Sequence, residues 1–190
     1  MPHPGHKAVR SLQNELDTAW ATMQRSTSEA KGKPNEKLLV AAALALFLAA
    51  AQEAIKDSYV DIWAAVAGNL GIETAITEAV KSGEFMDQFA EELDTEIDEL
   101  GEGEDIDELL DNRKSRVLMY AGGAWLIYNV AKTHGKDEDE LWQWDGADDE
   151  STCDDCAVEI ALGARPLSDF TRYPGEVECL SNCRCEMSRV

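Results

Sequence analysis

The stretch Leu38-Leu-Val-Ala-Ala-Ala-Leu-Ala-Leu-Phe-Leu-Ala-Ala-Ala51 contains fourteen consecutive apolar residues, half of them alanine. It is shorter than the roughly 20 residues that a membrane span requires, which favours a buried helix. Beyond it, helical apolar spacing continues and predicts one long helix that reaches Gly68 or Gly71. Because the start of this helix is apolar on all sides, we expect more than one neighbour to cover its first turns, and another subunit is a candidate for part of that cover.

The segments on both sides of this run are also predicted to be helical. The preceding segment has an apolar stripe and is followed by a predicted hinge, formed by residues 26–28 and 31–34, and by Asn35 as the N-cap of the long helix. The stripe consists of Val9, Leu12, Leu16, Trp20 and Met23.

The segment between Glu84 and Asp111 contains fourteen acidic residues and no Lys or Arg. Its apolar residues nevertheless keep helical spacing, which predicts a helix with an acidic outer face. These residues are Phe85, Phe89, Leu93, Ile97 and Leu100. A further helix is predicted from near Asp105 to Gly135, and the close approach of another helix would explain the glycine pair 122–123 in its middle.

A different kind of segment follows residue 135. Leu141-Trp-Gln-Trp-Asp145 has the alternation of a short strand, with Trp142 and Trp144 on one face. The sequence therefore predicts a mainly α protein in two parts. Residues 1–135 form a bundle of long amphipathic helices, and residues 136–190 form a small α+β, Cys-rich, zinc-knuckle-like module.

The composition limits the partners that the chain can bind. Thirty-eight acidic and 17 basic residues give a formal net charge of −21. Phosphate binding depends mainly on Lys and Arg, so we expect no strong direct binding to nucleic acid. Binding to a membrane is also not expected, while a basic partner surface remains compatible with the charge.

The cysteines provide the most specific signal for a site. All five lie in the final 38 positions, as Cys153-x2-Cys156 and Cys179-x3-Cys183-x-Cys185. Paired thiols on short turns are typical of a tetrahedral zinc site. Two disulfides are a weaker alternative, because five is an odd number and residues 1–4 do not resemble a secretory signal. Buried thiols without a ligand are weaker still, because Asp154, Asp155, Glu176 and Glu178 lie beside the cysteines.

Four of the five thiols would bind one structural zinc ion. Cys153, Cys156 and Cys179 are the firmer ligands, and the sequence leaves either Cys183 or Cys185 as the fourth. A site closed by four thiolates has no open position for a water molecule, so it stabilises a fold and does not catalyse a reaction. No histidine follows Cys153 to act as a base. We therefore expect no enzyme activity, no catalytic residues and no cofactor other than zinc.

The order of motifs after residue 105 resembles the minor head proteins of tailed bacteriophages, the head-morphogenesis or Mu F-like family. The resemblance is carried by residues 116–129, by the two tryptophans of the predicted strand, and by the cysteine-rich end with Pro166-Leu167 and Asn182-Cys183-Arg-Cys185. In that family a His-Pro commonly precedes the second cysteine pair. Cys179 stands near that place and is taken as the substitute ligand.

The resemblance implies a structural protein of the virion, made in the host cytoplasm and located in the head or head–tail region near the portal vertex. It implies a role in head assembly, genome retention or DNA ejection. Portal or capsid subunits and copies of the chain itself are the expected partners. The main alternative is a zinc-module protein that binds nucleic acid or acts as a nuclease. A third reading is delivery through a membrane by the apolar run.

Overall fold

The computed structural model describes residues 4–100, 106–146, 152–176 and 185–190. Six α-helices, one 3-10 turn and three short strands lie within these ranges. The helices are α1 (Pro4–Ala30), α2 (Glu36–Ala67), α3 (Ile72–Glu99), α4 (Ile106–Met119), α5 (Gly122–Thr133) and α6 (Asp154–Ala161). The strands are β1 (Leu141–Asp145), β2 (Arg165–Pro166) and β3 (Glu186–Arg189). The predicted fold class, a mainly helical chain with a small α+β module that contains cysteines, is confirmed.

Helix α2 is the centre of the helical part and contacts α1, α3 and α5. The core between the first three helices is built on Trp20, which has no exposed surface. Its ring meets the ring of Phe47 edge to face, with centroids 5.1 Å apart, and lies 6.2 Å from the ring of Phe89. One side chain thus links α1, α2 and α3.

The connection between α1 and α2 is shorter than the predicted hinge. Helix α1 continues through residues 26–28 to Ala30, and only residues 31–35 form the turn. Asn35 does precede α2, but it adopts a left-handed conformation with φ 70° and its side chain makes no capping hydrogen bond. Asparagine tolerates this conformation better than most residues, so Asn35 helps to form the turn and does not cap the helix.

Helix α3 has the predicted acidic outer face, and α4 supplies part of its counter-charge. Arg113 forms an ion pair with Glu96, and Arg116 pairs with Glu92 at 2.5 Å. The buried stripe differs by one position from the expected one, because Met86 is buried whereas Phe85 is 59% exposed. The start of the stripe is therefore shifted by one residue toward the side that faces α2.

The single helix predicted from residue 105 to 135 is two helices in the structure. The helix is interrupted by a turn at Tyr120 and Ala121, and α5 begins at Gly122. The predicted close approach at the glycine pair is confirmed, because a β-carbon on Gly123 would overlap the hydroxyl of Tyr59 in α2. The break lets α5 turn its buried face toward both α2 and β3.

The outer face at the start of α2 is exposed to solvent in the single chain, so its own neighbours do not supply all of the cover that the sequence predicts, and the part assigned to another subunit stays a prediction. Leu38 and Leu46 are 69% and 74% exposed. Helix α2 is also long and apolar enough to cross a membrane by length and composition, with an 18-residue window of mean hydropathy 2.1, of which 33% is buried. The shortness of the apolar run therefore does not by itself exclude α2 as a membrane-spanning helix.

The three strands form one antiparallel sheet in the order β2-β1-β3. Strand β1 pairs with β3 in a register that sets Trp142 opposite Arg189 and Trp144 opposite Met187. Both tryptophans are buried, as predicted from their alternation, and both belong to the same hydrophobic core as the helices. The change from helices to strands after residue 135 is therefore a change of secondary structure within one continuous core.

Candidate metal centre

Three of the five predicted ligand residues lie within the described part of the chain. Cys153 is half-buried immediately before α6, and Cys156 is buried in the first turn of that helix. Cys185 is buried immediately before β3. Cys179 and Cys183 lie outside the described residues. The sequence-predicted pair at 153 and 156 is thus presented by the beginning of one helix, and Cys185 by the start of one strand.

Packing against Gly146, the residue after β1, brings Cys185 to α6. A β-carbon built on Gly146 would lie 2.5 Å from the Cys185 Sγ and 2.8 Å from the Ile160 Cδ1. Ile160 follows Cys156 by one helical turn, so the two side chains share a face of α6. Because the sulfur of Cys185 lies beside that face, the structure brings Cys185 and Cys156 to the same region of the module.

Helix α5 fixes the position of Cys185 from the other side. The Trp125 Nε1 donates a hydrogen bond to the carbonyl oxygen of Cys185 at 2.5 Å, and the indole is buried. Trp125 also stacks on Tyr128, with ring centroids 5.2 Å apart. The backbone at Cys185 is therefore held by a large, rigid side chain from the helical part.

Asn129 makes a second connection between α5 and the module, and its side chain is completely buried. Its Oδ1 accepts a hydrogen bond from the backbone N–H of Met187 at 2.8 Å. Its Nδ2 donates to the carbonyl oxygens of Trp125 at 2.9 Å and Pro174 at 3.4 Å. A buried amide with all these partners satisfied fixes the orientation of β3 on α5.

A cluster of charged residues holds α6 against the segment that follows it. The carboxylate of Glu159, which is buried, forms an ion pair with Arg165 and accepts a hydrogen bond from the Arg172 Nε at 2.9 Å. Arg172 also reaches Asp155 at 3.2 Å, and Arg165 lies 3.8 Å over the ring of Phe170. The hydrogen bond with Glu159 is the main cause that raises the pKa of the Arg172 guanidinium. The cluster orients the helix that carries Cys156.

The donor chemistry of the module fits zinc. Thiolates prefer this ion, and two ligands from one helical turn with further ligands from a second segment is a usual arrangement for a structural site. Within residues 4–100, 106–146, 152–176 and 185–190, no group of three or more His, Cys, Asp or Glu side chains has the geometry to hold a metal. A complete set would need Cys179 or Cys183, so zinc and the choice of the fourth ligand stay predictions.

An open cleft lies elsewhere, between α1, α2 and α5. It has a volume of about 370 Å³ and is lined by Lys7, Asp57, Asp61 and Tyr128, among others, but by no cysteine. Charged side chains of both signs and apolar side chains line this cleft, and this combination does not indicate a particular reaction.

Several residues that position the candidate metal centre were missed by sequence reasoning. Asn129 carried a usable signal, because a lone amide in the apolar stripe of a helix needs a buried partner. Gly146 and Glu159 carried no comparable signal, since their partners lie far away in the sequence or follow α6 in an irregular segment. Comparisons of this chain with protein-family models, with curated proteins and with solved structures give no match.

Proposed function

We propose that this chain is a structural minor head protein of a tailed-bacteriophage virion, located near the portal vertex. It acts there in head assembly, genome retention or DNA ejection. Its partners are portal or capsid subunits, and its cysteine module holds one structural zinc ion. The proposal starts from the resemblance of residues 105–190 and is supported by the way in which the residues that carry this resemblance meet in the fold.

The observation that carries the proposal is the connection between α5 and the strand β3. The resemblance rests on two separate stretches, one in the helices and one in the cysteine-rich end. Trp125 and Asn129 of the first stretch hydrogen bond directly to Cys185 and Met187 of the second. Two motifs that depend on each other for their buried polar contacts are expected to occur together as one unit, which supports reading them as a single family signature.

The remaining structure is compatible with a role in assembly. The helical part presents an acidic surface, which suits contact with a basic surface on another protein. The cysteine module is small and has a limited core, so a metal would give it the rigidity that a contact element needs.

The alternative, a zinc module that binds nucleic acid or cleaves it, has less support. The arginines of the module that the structure describes are engaged with carboxylates: Arg165 and Arg172 with Glu159, and Arg189 with Glu140. Basic side chains that already pair with carboxylates gain less from phosphates, because the existing pair must be broken first. A salt-sensitive shift of a DNA fragment by the purified chain would favour this alternative.

Quantitative mass spectrometry of assembled particles tests the proposal. Heads and complete particles are purified from a lysate that makes the chain, treated with nuclease and a high-salt wash, and the ratio of this chain to the major capsid protein is measured. An abundant host protein serves as the control for adhering material. A low, fixed ratio is expected, as for a component limited to one vertex. Absence from heads and particles at every stage of assembly would overturn the proposal.

A further inference from the structure

Gly146, the residue after β1, leaves a space that the sulfur of Cys185 fills. A β-carbon at position 146 would lie 2.5 Å from the Cys185 Sγ, closer than such atoms approach in a packed protein. The backbone does not itself require a glycine there, because the φ of Gly146 is not positive. The missing side chain therefore makes room for the sulfur, and we call this space the Gly146 cradle.

The Gly146 cradle holds the sulfur beside the helix that carries Cys156. The Ile160 Cδ1 lies 2.8 Å from the same β-carbon position, so it is a close neighbour of the Cys185 Sγ. A helical side chain covers the turn that precedes it, which for Ile160 is the turn of Cys156. Only 1% of Cys156 and 5% of Cys185 is exposed. The two thiols therefore lie near each other inside the module.

Helix α5 holds the backbone of Cys185. The Trp125 Nε1 donates to the carbonyl oxygen of Cys185 at 2.5 Å, and the Asn129 Oδ1 accepts from the N–H of Met187 at 2.8 Å. Both side chains of α5 are buried. Cys185 is thus fixed through its backbone by α5 and through its sulfur by the Gly146 cradle.

We propose that Cys185 is the fourth zinc ligand and that Cys183 is the spare thiol. Gly146 and Trp125 are the positioning residues that make this choice. A thiol that already faces another ligand loses little conformational entropy when the metal binds, which favours it as a ligand. Cys183 lies outside the described residues, so the assignment rests on the supports of Cys185.

The inference rests on the zinc ion of the proposed function and assigns residues within that centre. It does not depend on the virion role. It also makes the metal centre and the contact between α5 and β3 parts of one arrangement, because Cys185 belongs to both. Residues that support a metal ligand typically change the affinity for the metal 10- to 100-fold.

A buried cysteine without a metal is the competing interpretation, since a free thiol packs like a small apolar side chain. The two interpretations differ in what Gly146→Ala changes. If Cys185 is only a packed side chain, the added methyl group lowers the stability of the module and leaves the affinity for zinc unchanged. If Cys185 is a ligand, the displaced sulfur lowers the affinity for zinc.

Cobalt substitution in the full chain tests the assignment. Each protein is purified with a phosphine reductant, freed of metal with a chelator and loaded with Co²⁺. The intensity of the thiolate-to-cobalt charge-transfer absorption then reports the number of bound thiolates, and competition with a chelator gives the affinity for Zn²⁺. The variants are Cys183→Ser, Cys185→Ser, Gly146→Ala and Trp125→Phe.

Trp142→Phe is the matched control for Trp125→Phe. Trp142 is also buried in the core, but its Nε1 has no hydrogen-bond partner within the described residues. The control thus loses the same atoms without losing a contact to Cys185. Circular dichroism of each variant reports whether the helical part is retained.

We expect Cys183→Ser to keep the full charge-transfer intensity and Cys185→Ser to lose about one quarter of it, since one of four thiolates is removed. Cys185→Ser should weaken zinc binding by more than about 100-fold, because a ligand matters more than its support. Gly146→Ala and Trp125→Phe should weaken it about 10- to 100-fold with four thiolates still bound. Trp142→Phe should change it little.

Loss of one thiolate in Cys183→Ser would overturn the assignment, and this result is readable even if Cys185→Ser fails to fold. Full intensity in Cys185→Ser, or an affinity for zinc that neither Gly146→Ala nor Trp125→Phe changes, would overturn it as well. A parent chain that binds neither metal would refute the zinc ion of the proposed function together with this inference. A parent chain with four bound thiolates that include Cys183 would refute the inference alone.

Discussion

Tyr59 of α2 places its hydroxyl where a β-carbon on Gly123 of α5 would lie. The tyrosine is 1% exposed and its hydroxyl is 3.1 Å from the Ser82 Oγ in α3, so it has little freedom to move away. This contact explains why a glycine stands at the second position of α5. Tyr59 therefore helps to set the distances between α2, α3 and α5.

Gly123→Ala is expected to destabilise the protein by about 1–3 kcal/mol, because the clash with Tyr59 outweighs the gain in helix propensity. Gly83→Ala in α3 is the matched control: its new methyl group would meet only the side chain of Gln52, at 3.8 Å. That control should be neutral or stabilising by up to about 1 kcal/mol. Urea unfolding measures both, and equal effects at the two positions would contradict the close approach.

Asn129→Ala is expected to cost about 2–3 kcal/mol, because it leaves the buried N–H of Met187 without its acceptor. The loss should be concentrated in the module, so limited proteolysis should cut residues 136–190 first. Asn14→Ala, at an exposed position of α1, serves as the control and should have little effect. A module that resists protease as well in Asn129→Ala as in the parent chain would show that this connection is not required.

Replacing Cys153 and Cys156 together by serine is expected to abolish the proposed zinc binding and to make the module sensitive to protease, since two of the four proposed ligands are lost. Zinc per chain is measured by mass spectrometry of the purified protein, with the exposed Ser168→Ala as the control. Single replacements of Cys183 and Cys185 identify the spare thiol, because only one of the two should abolish binding.

Metal-free protein with fewer than five titratable thiols in the absence of reductant would instead indicate disulfides. Retained folding and particle incorporation of the Cys153→Ser, Cys156→Ser variant would rule out a stabilising role for the cluster.

The stability of the protein is expected to fall above pH 10 because of Tyr59. Burial, the largest cause, raises the pKa of this phenol to about 12, against about 10 in an unfolded chain. Between these values the unfolded state has lost the proton that the folded state keeps, so stability is fully present below pH 10 and decreases as the pH rises toward 12. The contribution is about 2–3 kcal/mol.

Urea unfolding at pH 9 to 12 checks this prediction, with Tyr59→Phe expected to have a flatter profile than the parent chain. Tyr173→Phe is the comparison variant, since Tyr173 is only half-buried. A parent profile that Tyr59→Phe leaves unchanged would assign the pH dependence to other groups.

The bounds of α2 were predictable because local chemistry sets them: a turn with Gly32 and Pro34 precedes the helix, and Gly68 with φ 69° ends it. The paired tryptophans of β1 were predictable for the same reason, since alternation is a local property. The break between α4 and α5 was not, because the helical apolar spacing continues through residues 120 and 121.

For the candidate metal centre, too, the local features were predictable from the sequence and the distant contacts were not. Spacing alone identified the cysteines as a set, and burial of Cys156 and Cys185 in one module agrees with that interpretation. The supports of the centre, Trp125 and Asn129, have partners 60 and 58 positions later in the chain. His134, which follows α5, packs its ring 5.0 Å from that of Trp63. No local pattern encodes these distant contacts.

The pairing of β1 with β3 has a consequence for synthesis of the protein on the ribosome. Trp142 is opposite Arg189, so the sheet cannot close until translation has passed residue 189. Helices α1 to α3 have all their mutual contacts by residue 100 and are able to fold while the chain is still growing. Trp125 and Asn129 lack their hydrogen bonds to Cys185 and Met187 until synthesis is almost complete.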